Sequence, residues 1–293
     1  MSDPVELLKR AEKKGVPSSG FMKFFNGGTD AYKFEEAAEL CIQAANIYRL
    51  RKELGKAGES FLKAADYQLK ANNDDEAANT FIEAFKCFKS SGAFTDAVTS
   101  LESAVNLFTK KGQFRRAANF KFDLGEIQET DLSDYKGAIE SFETAGEWYE
   151  QDQSMALANK CYVRCADLKA LDGQYVPAAE LYSKLIKNSL GNRLSQWSLK
   201  EYFLKKGLTQ LAAGDNVAAT RTLQEGMKED PNFRESREYN LLQGLIESVD
   251  EGDSEKLSQL VFDFDKFAKL DKWKTTILLK IKETITEAED DLL

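Results

Sequence analysis

The chain has no histidine, and among its 293 residues only 4 are proline and 4 cysteine. Without imidazole there is no Ser-His-Asp triad, no histidine metal ligand and no histidine proton shuttle. The cysteines, Cys41, Cys87, Cys161 and Cys165, show no disulfide-like spacing. Cys161 and Cys165 stand four apart, as two ligands on one helix face would. Free cysteine is among the most buried residue types, so the reading carried forward is small core side chains, with no metal and no cofactor. No apolar run approaches the ~18 residues needed to cross a bilayer. With no secretory signal either, the expected compartment is a reducing cytoplasm. Neither G-x-x-x-x-G-K-[ST] nor a G-x-G-x-x-G after a strand is present. Carboxylate pairs such as Glu35-Glu36 and Asp74-Asp75 fall at helix starts, where acids are expected anyway. No serine or cysteine has a recognisable base, so no catalytic residue and no enzyme activity is expected. The net charge is -9, without the basic footprint of a nucleic-acid protein.

What the chain does have is alanine at a fixed beat of about 20 residues: Ala37, Ala57, Ala77, Ala97, Ala117, Ala138, Ala158 and Ala178. Positions i, i+4, i+7 and i+11 from four of these read Ala37-Cys41-Ala44-Tyr48, Ala77-Phe81-Ala84-Phe88, Ala97-Leu101-Ala104-Phe108 and Ala138-Phe142-Ala145-Tyr149. That spacing draws one apolar stripe along one helix face. Breakers keep the same beat: Gly55, Asn72-Asn73, Ser91-Gly92, Lys111-Gly112, Asp152, Asp172-Gly173, Gly191-Asn192 and Gly214-Asp215. A fixed period of this length marks a repeat stack. The expectation is an all-α, TPR-like right-handed helical-hairpin solenoid with helices of about 14–15 residues. The alanine register is expected to resume at Ala218.

Beyond Asp230-Pro231 the stripes change to larger side chains: Leu241, Leu242, Leu245, Ile246 and Val249, then Leu257, Leu260, Val261, Phe264 and Phe267, then Trp273, Ile277, Leu278, Ile281 and Ile285. This reads as a C-terminal helical bundle over 231–293, following a solenoid over 30–230. Residues 230–293 carry 16 acidic and 9 basic residues, a net -7 of the total -9. The chain ends EAEDDLL, where clustered acids oppose the helix dipole; the end is either a frayed tail or a short docking peptide for a basic groove.

The segment 1–29 holds a short helix over 3–14, with Asp3 as its cap and Pro4 at its first position, and then GFMKFFNGG at 20–28. Glycines bracket Phe21, Met22, Phe24 and Phe25, so no helix begins much before Thr29 or Asp30. These side chains either fold back over the end of the solenoid core or form an exposed tip for a membrane or partner. Basic residues off the apolar stripes include Arg115, Arg116, Lys121, Lys160, Arg164, Lys200, Lys205 and Lys206. They form either a solvated face of mixed charge or an electrostatic dock for an elongated acidic partner.

GFMKFF near the start, ANKCYVRCADLKALDGQY at 158–175, LSQWSLKEYFLKKGL at 194–208 and LDKWKTTILLKIKETI running into the DDLL end together resemble the alpha-SNAP (soluble NSF attachment protein) family in its fungal form, over essentially the whole chain. The resemblance implies a cytoplasmic, peripherally membrane-associated adaptor in which several copies bind one SNARE four-helix bundle and recruit the hexameric AAA+ ATPase NSF. It implies SNARE contacts at Lys160, Arg164, Lys200, Trp197 and Arg237. Asn119 stands where animal relatives carry lysine, with Arg115, Arg116 and Lys121 as its basic neighbours. It implies membrane contact by Phe21, Met22, Phe24 and Phe25. ATPase contact is implied for Asp215, Glu247, Asp250 and Glu251 and for the tail residues Asp290, Asp291, Leu292 and Leu293. A reading free of the resemblance is a helical-repeat scaffold without ATPase recruitment.

Overall fold

The computed structural model describes residues 3–17, 29–191 and 196–290. Among the described residues every regular element is helical. The order is α1 (Pro4–Lys14), α2 (Thr29–Leu50), α3 (Leu54–Lys70), α4 (Asp74–Ser91), α5 (Phe94–Lys110), α6 (Phe114–Thr130), α7 (Tyr135–Gln151), α8 (Met155–Leu171) and α9 (Tyr175–Ser189). A 3-10 turn at Gln196–Ser198 follows, then α10 (Leu199–Ala212), α11 (Asn216–Glu229), α12 (Arg237–Glu251), α13 (Ser254–Phe267) and α14 (Lys272–Asp290). The architecture is all-α and TPR-like, built from stacked helical hairpins.

All eight beat alanines are fully buried. From α3 to α9 each one is the fourth residue of its helix, as Ala57, Ala77 and Ala97 illustrate. A small side chain here lets the neighbouring helix approach, and in four of the eight helices the residue eleven on is a buried aromatic, Tyr48, Phe88, Phe108 or Tyr149. Phe88 packs where a Cβ on Gly58 would sit at 2.7 Å, and Phe142 does the same at Gly125. The helices are longer than the spacing suggested, 17 residues in α3 and in each of α5 to α8. The reason is the turns, which need only two to four residues because one residue takes the left-handed conformation. Asn72 does so at φ 62° and Gly92 at φ 80°. Gly55 is no breaker; it lies in the first turn of α3, and Lys52, at φ 61°, makes the turn. The register resumes at Ala219, not Ala218. Ala219 is the fully buried fourth residue of α11, whereas the backbone N–H of Ala218 is given to the capping carboxylate of Asp215.

Helix packing divides the chain into two compact units, Met1–Asp152 and Gln153–Leu293. In the first, α1 is capped by Asp3, which accepts from the Val5 N–H at 3.3 Å. Its Ala11 joins Ala37, Cys41 and Ala64 in a small cluster, so α1 is part of the stack. In the second unit, α12 packs on α10 and α11, and α14 packs back on α10 and α8. The last helices bury their stripes against hairpins that precede Pro231. Trp273, Ile277, Leu278, Ile281 and Ile285 are buried as their spacing demands. The α13 stripe is weaker: only Leu257 is fully buried. Phe267, placed on that stripe by spacing, is 71 % exposed because α13 ends there and the guanidinium of Arg237 covers its ring instead.

Candidate interaction surfaces

The basic candidates divide between the units. In the first, all lie on α6. Arg115 pairs with Asp152 at 3.1 Å. Arg116 sits 4.2 Å from the centroid of the Phe108 ring and donates to Asn79 Oδ1 at 2.7 Å, a cation–π contact that orients the guanidinium. Asn119 accepts from the buried Tyr149 hydroxyl, so it ties α6 to α7. Lys121 is half-buried. Phe114, Arg115, Arg116, Asn119, Trp148 and Asp152 line a groove of about 630 Å³. Phe114 and Trp148 face each other across 6.0 Å there, an aromatic contribution the stripes did not single out.

In the second unit, Lys160 and Arg164 stand one turn apart on α8, exposed and half-buried respectively, and both hold contacts within the chain. Lys200 is half-buried in the first turn of α10. Trp197 is 90 % exposed on the 3-10 turn before α10. An indole that large in water gains by finding a cover. Arg237 opens α12, its guanidinium 5.1 Å from the Phe267 ring centroid and 3.4 Å from the Phe267 carbonyl. Two cations named from sequence are not on a solvated face. Lys205 is buried and paired with Asp167 at 2.8 Å, and Lys206 is largely buried and paired with Glu225 at 2.8 Å. Their long stems cover apolar surface between helices, so both charges need a partner.

The acidic candidates converge. Asp215 caps α11, accepting from the Ala218 N–H at 2.8 Å. The next residue, Asn216, donates to Asp250 of α12 and reaches the Ile246 carbonyl. Glu247 and Glu251 occupy the same last turns of α12. Lys256 of α13 stands 3.5 Å from Glu247 and 2.9 Å from Glu251. Its pKa is raised, chiefly by the hydrogen bond to Glu251, against a lowering by burial and with the charges of both glutamates adding. Lys256 was not singled out from sequence, because it lies across the left-handed turn at Gly252, where helical spacing no longer applies. Asp290 closes α14. Its side chain, Asp291, Leu292, Leu293 and the whole set Phe21, Met22, Phe24 and Phe25 lie outside the described residues.

The cysteines are buried. Burial pushes the Cys161 thiol up to about 12, against smaller lowering by Lys160 and a backbone contact, so it is unreactive as a thiolate. Among the described residues no cluster of metal-ligating side chains occurs. No helix there is long and apolar enough to cross a membrane.

The family model described as soluble NSF attachment protein, SNAP, matches residues 2–286. The chain is 71% identical to the alpha-soluble NSF attachment protein of Saccharomyces cerevisiae, over the whole of both chains. It is 33% identical to the human protein of the same name, over 99% of this chain and 97% of that one. The Vitis vinifera alpha-soluble NSF attachment protein is 35% identical over 98% of this chain and 96% of its own.

Proposed function

Because the chain belongs to the soluble NSF attachment protein family, we propose that it is an adaptor in vesicle fusion without catalysis of its own. It binds the assembled SNARE four-helix bundle, touches the membrane through the 20–28 tip, and recruits and stimulates the AAA+ ATPase NSF. The observation that carries this reading is an acidic surface in which Asp250 meets Asn216, the residue after Asp215, and Glu247 and Glu251 meet Lys256, with a net charge of -7 over residues 230–293, while Lys160, Arg164 and Lys200 lie on α8 and α10. Charge of opposite sign on different helices of the second unit suits a protein that joins an acidic bundle to a basic partner.

Each charge contact at such a surface is weak, about 0.2–1 kcal/mol when solvent-exposed. Useful affinity then comes from several copies engaging one elongated bundle, and from the membrane tip raising effective concentration. Trp197 adds an apolar anchor, since aromatic side chains dominate contact energy where they become covered. Binding to a purified, assembled SNARE bundle tests the reading. The wild-type chain binds with an affinity that falls as salt rises, and Lys160→Glu weakens it about tenfold or more. Equal affinity for the two proteins at physiological salt would remove the basic surface from the account.

A further inference from the structure

Three helices converge on Asp167 of α8. Both its carboxylate oxygens lie 2.8 Å from Lys205 Nζ of α10, and Oδ1 also accepts from the Tyr182 hydroxyl of α9. Its backbone carbonyl accepts the indole N–H of Trp273 at 2.9 Å, from α14 and 106 residues further along. The Lys205 ammonium in turn lies 4.6 Å from the centroid of the Trp273 ring, and Tyr182 meets that ring edge-on at 6.2 Å. Lys205, Tyr182 and Trp273 are all buried. The next residue of α14, Lys274, reaches Glu201 of α10 at 2.6 Å and Asp271 at 3.4 Å, with its side chain only 12% exposed.

A buried ion pair is a poor source of stability, because desolvation offsets most of the attraction. What it gives is direction. The rest of the α14 seam is Ile277, Leu278, Ile281 and Ile285, and apolar burial alone is non-directional, so the helix could slide or tilt at small cost. Charge-assisted and indole hydrogen bonds fix distance and angle. They act at the base of α14, and the other groups in the network sit on α8, α9 and α10; α8 and α10 are the helices of Lys160, Arg164 and Lys200.

We propose that Asp167, Lys205 and Trp273 form a latch that fixes the base of α14 to α8 and α10. A load taken up by the acidic, leucine-ending tail then passes to the SNARE-facing helices as a rigid motion. This inference rests on the adaptor reading above. Asp167, Lys205 and Trp273 are positioning residues: none needs to touch either partner.

The test uses the full chain with Trp273→Phe, Asp167→Asn, and Asp167→Asn combined with Lys205→Met, which replaces the pair by neutral groups and avoids a stranded buried charge. Three readouts are taken on each: amide exchange along α14, affinity for the SNARE bundle, and stimulation of NSF ATP hydrolysis at saturating bundle. The latch predicts that Trp273→Phe, which loses one hydrogen-bond donor, speeds exchange in α14 by about fivefold. SNARE affinity stays within about twofold, while stimulation falls. The combined variant recovers thermal stability relative to Asp167→Asn but not stimulation. Unchanged α14 exchange overturns the latch, as does a parallel fall of binding and stimulation, which would mean a general folding role. A wild-type chain that fails to stimulate sinks the adaptor reading and the latch with it. A stimulating wild type beside equally stimulating variants overturns the latch alone.

Discussion

Lys256 Nζ lies 2.9 Å from Glu251 Oε2 across the Gly252 turn, placing one cation inside the acidic cluster proposed to face the ATPase. It also reaches Glu247 at 3.5 Å. Lys256→Gln therefore removes the cation paired with Glu247 and Glu251. The expected outcome is association with a basic NSF surface that is faster by about two- to fivefold at low salt, the gain vanishing near 0.5 M. Stopped-flow association kinetics measure it. Slower association would mean that Lys256 organises the acids instead of masking them.

Ala219 is fully buried while Ala218, one residue earlier, is only half-buried. Ala219→Leu forces two methylene-sized groups and more into a filled site, at a cost of about 1–3 kcal/mol. Ala218→Leu is expected to cost well under 1 kcal/mol. Urea denaturation of the two variants measures the difference, and equal midpoints would contradict the register.

Several carboxyls are held below their ordinary pKa. For Glu83 the largest cause is the hydrogen bond from Lys86, opposed by burial and aided by the charges of Lys86 and Arg49. For Asp265 it is the Leu270 backbone N–H, then the Lys269 hydrogen bond. A carboxyl lowered on folding contributes stability that is complete above the ordinary value of about 4 and is lost as pH falls through the lowered one. With no histidine, and with Cys41 and Cys161 pushed up mainly by burial to about 11 and about 12, these side chains leave the interval between about pH 6 and 8 silent. Thermal melts should give a flat Tm across that interval and a fall below about pH 4. A step of several degrees between pH 6 and 7 would contradict this.

For the membrane tip, Phe21→Ser with Met22→Ser should slow SNARE disassembly on liposomes and leave it unchanged in detergent. Burying two such side chains is worth about 1.5–3 kcal/mol each at most, enough to position an assembly already held by other contacts. Equal loss in both settings would assign these residues to folding.

Much of this was legible because the stack repeats itself. Ala37 to Ala178 announce every helix of the hairpin series, and each is buried where its spacing puts it. The acids Asp215, Glu247, Asp250 and Glu251 lie on α12 and at the cap of α11, and their contact with the ATPase is part of the proposal. What spacing could not reveal is contact across turns and between distant helices. Lys205 and Lys206 look like surface cations until Asp167 and Glu225 are seen beside them. Lys256 is hidden behind the Gly252 turn, and Trp273 meets Asp167 from 106 residues away. Phe267 follows the stripe in sequence yet falls at a helix end, 71 % exposed, with the Arg237 guanidinium over its ring.

ATP hydrolysis by purified NSF with a soluble SNARE complex, titrated with this protein and with Leu292→Ala in parallel, tests the adaptor claim most directly. The account predicts strong stimulation by the wild type and little by Leu292→Ala, with SNARE binding equal in the two. No stimulation by the wild-type chain, with SNARE binding intact, would contradict it and leave a helical-repeat scaffold.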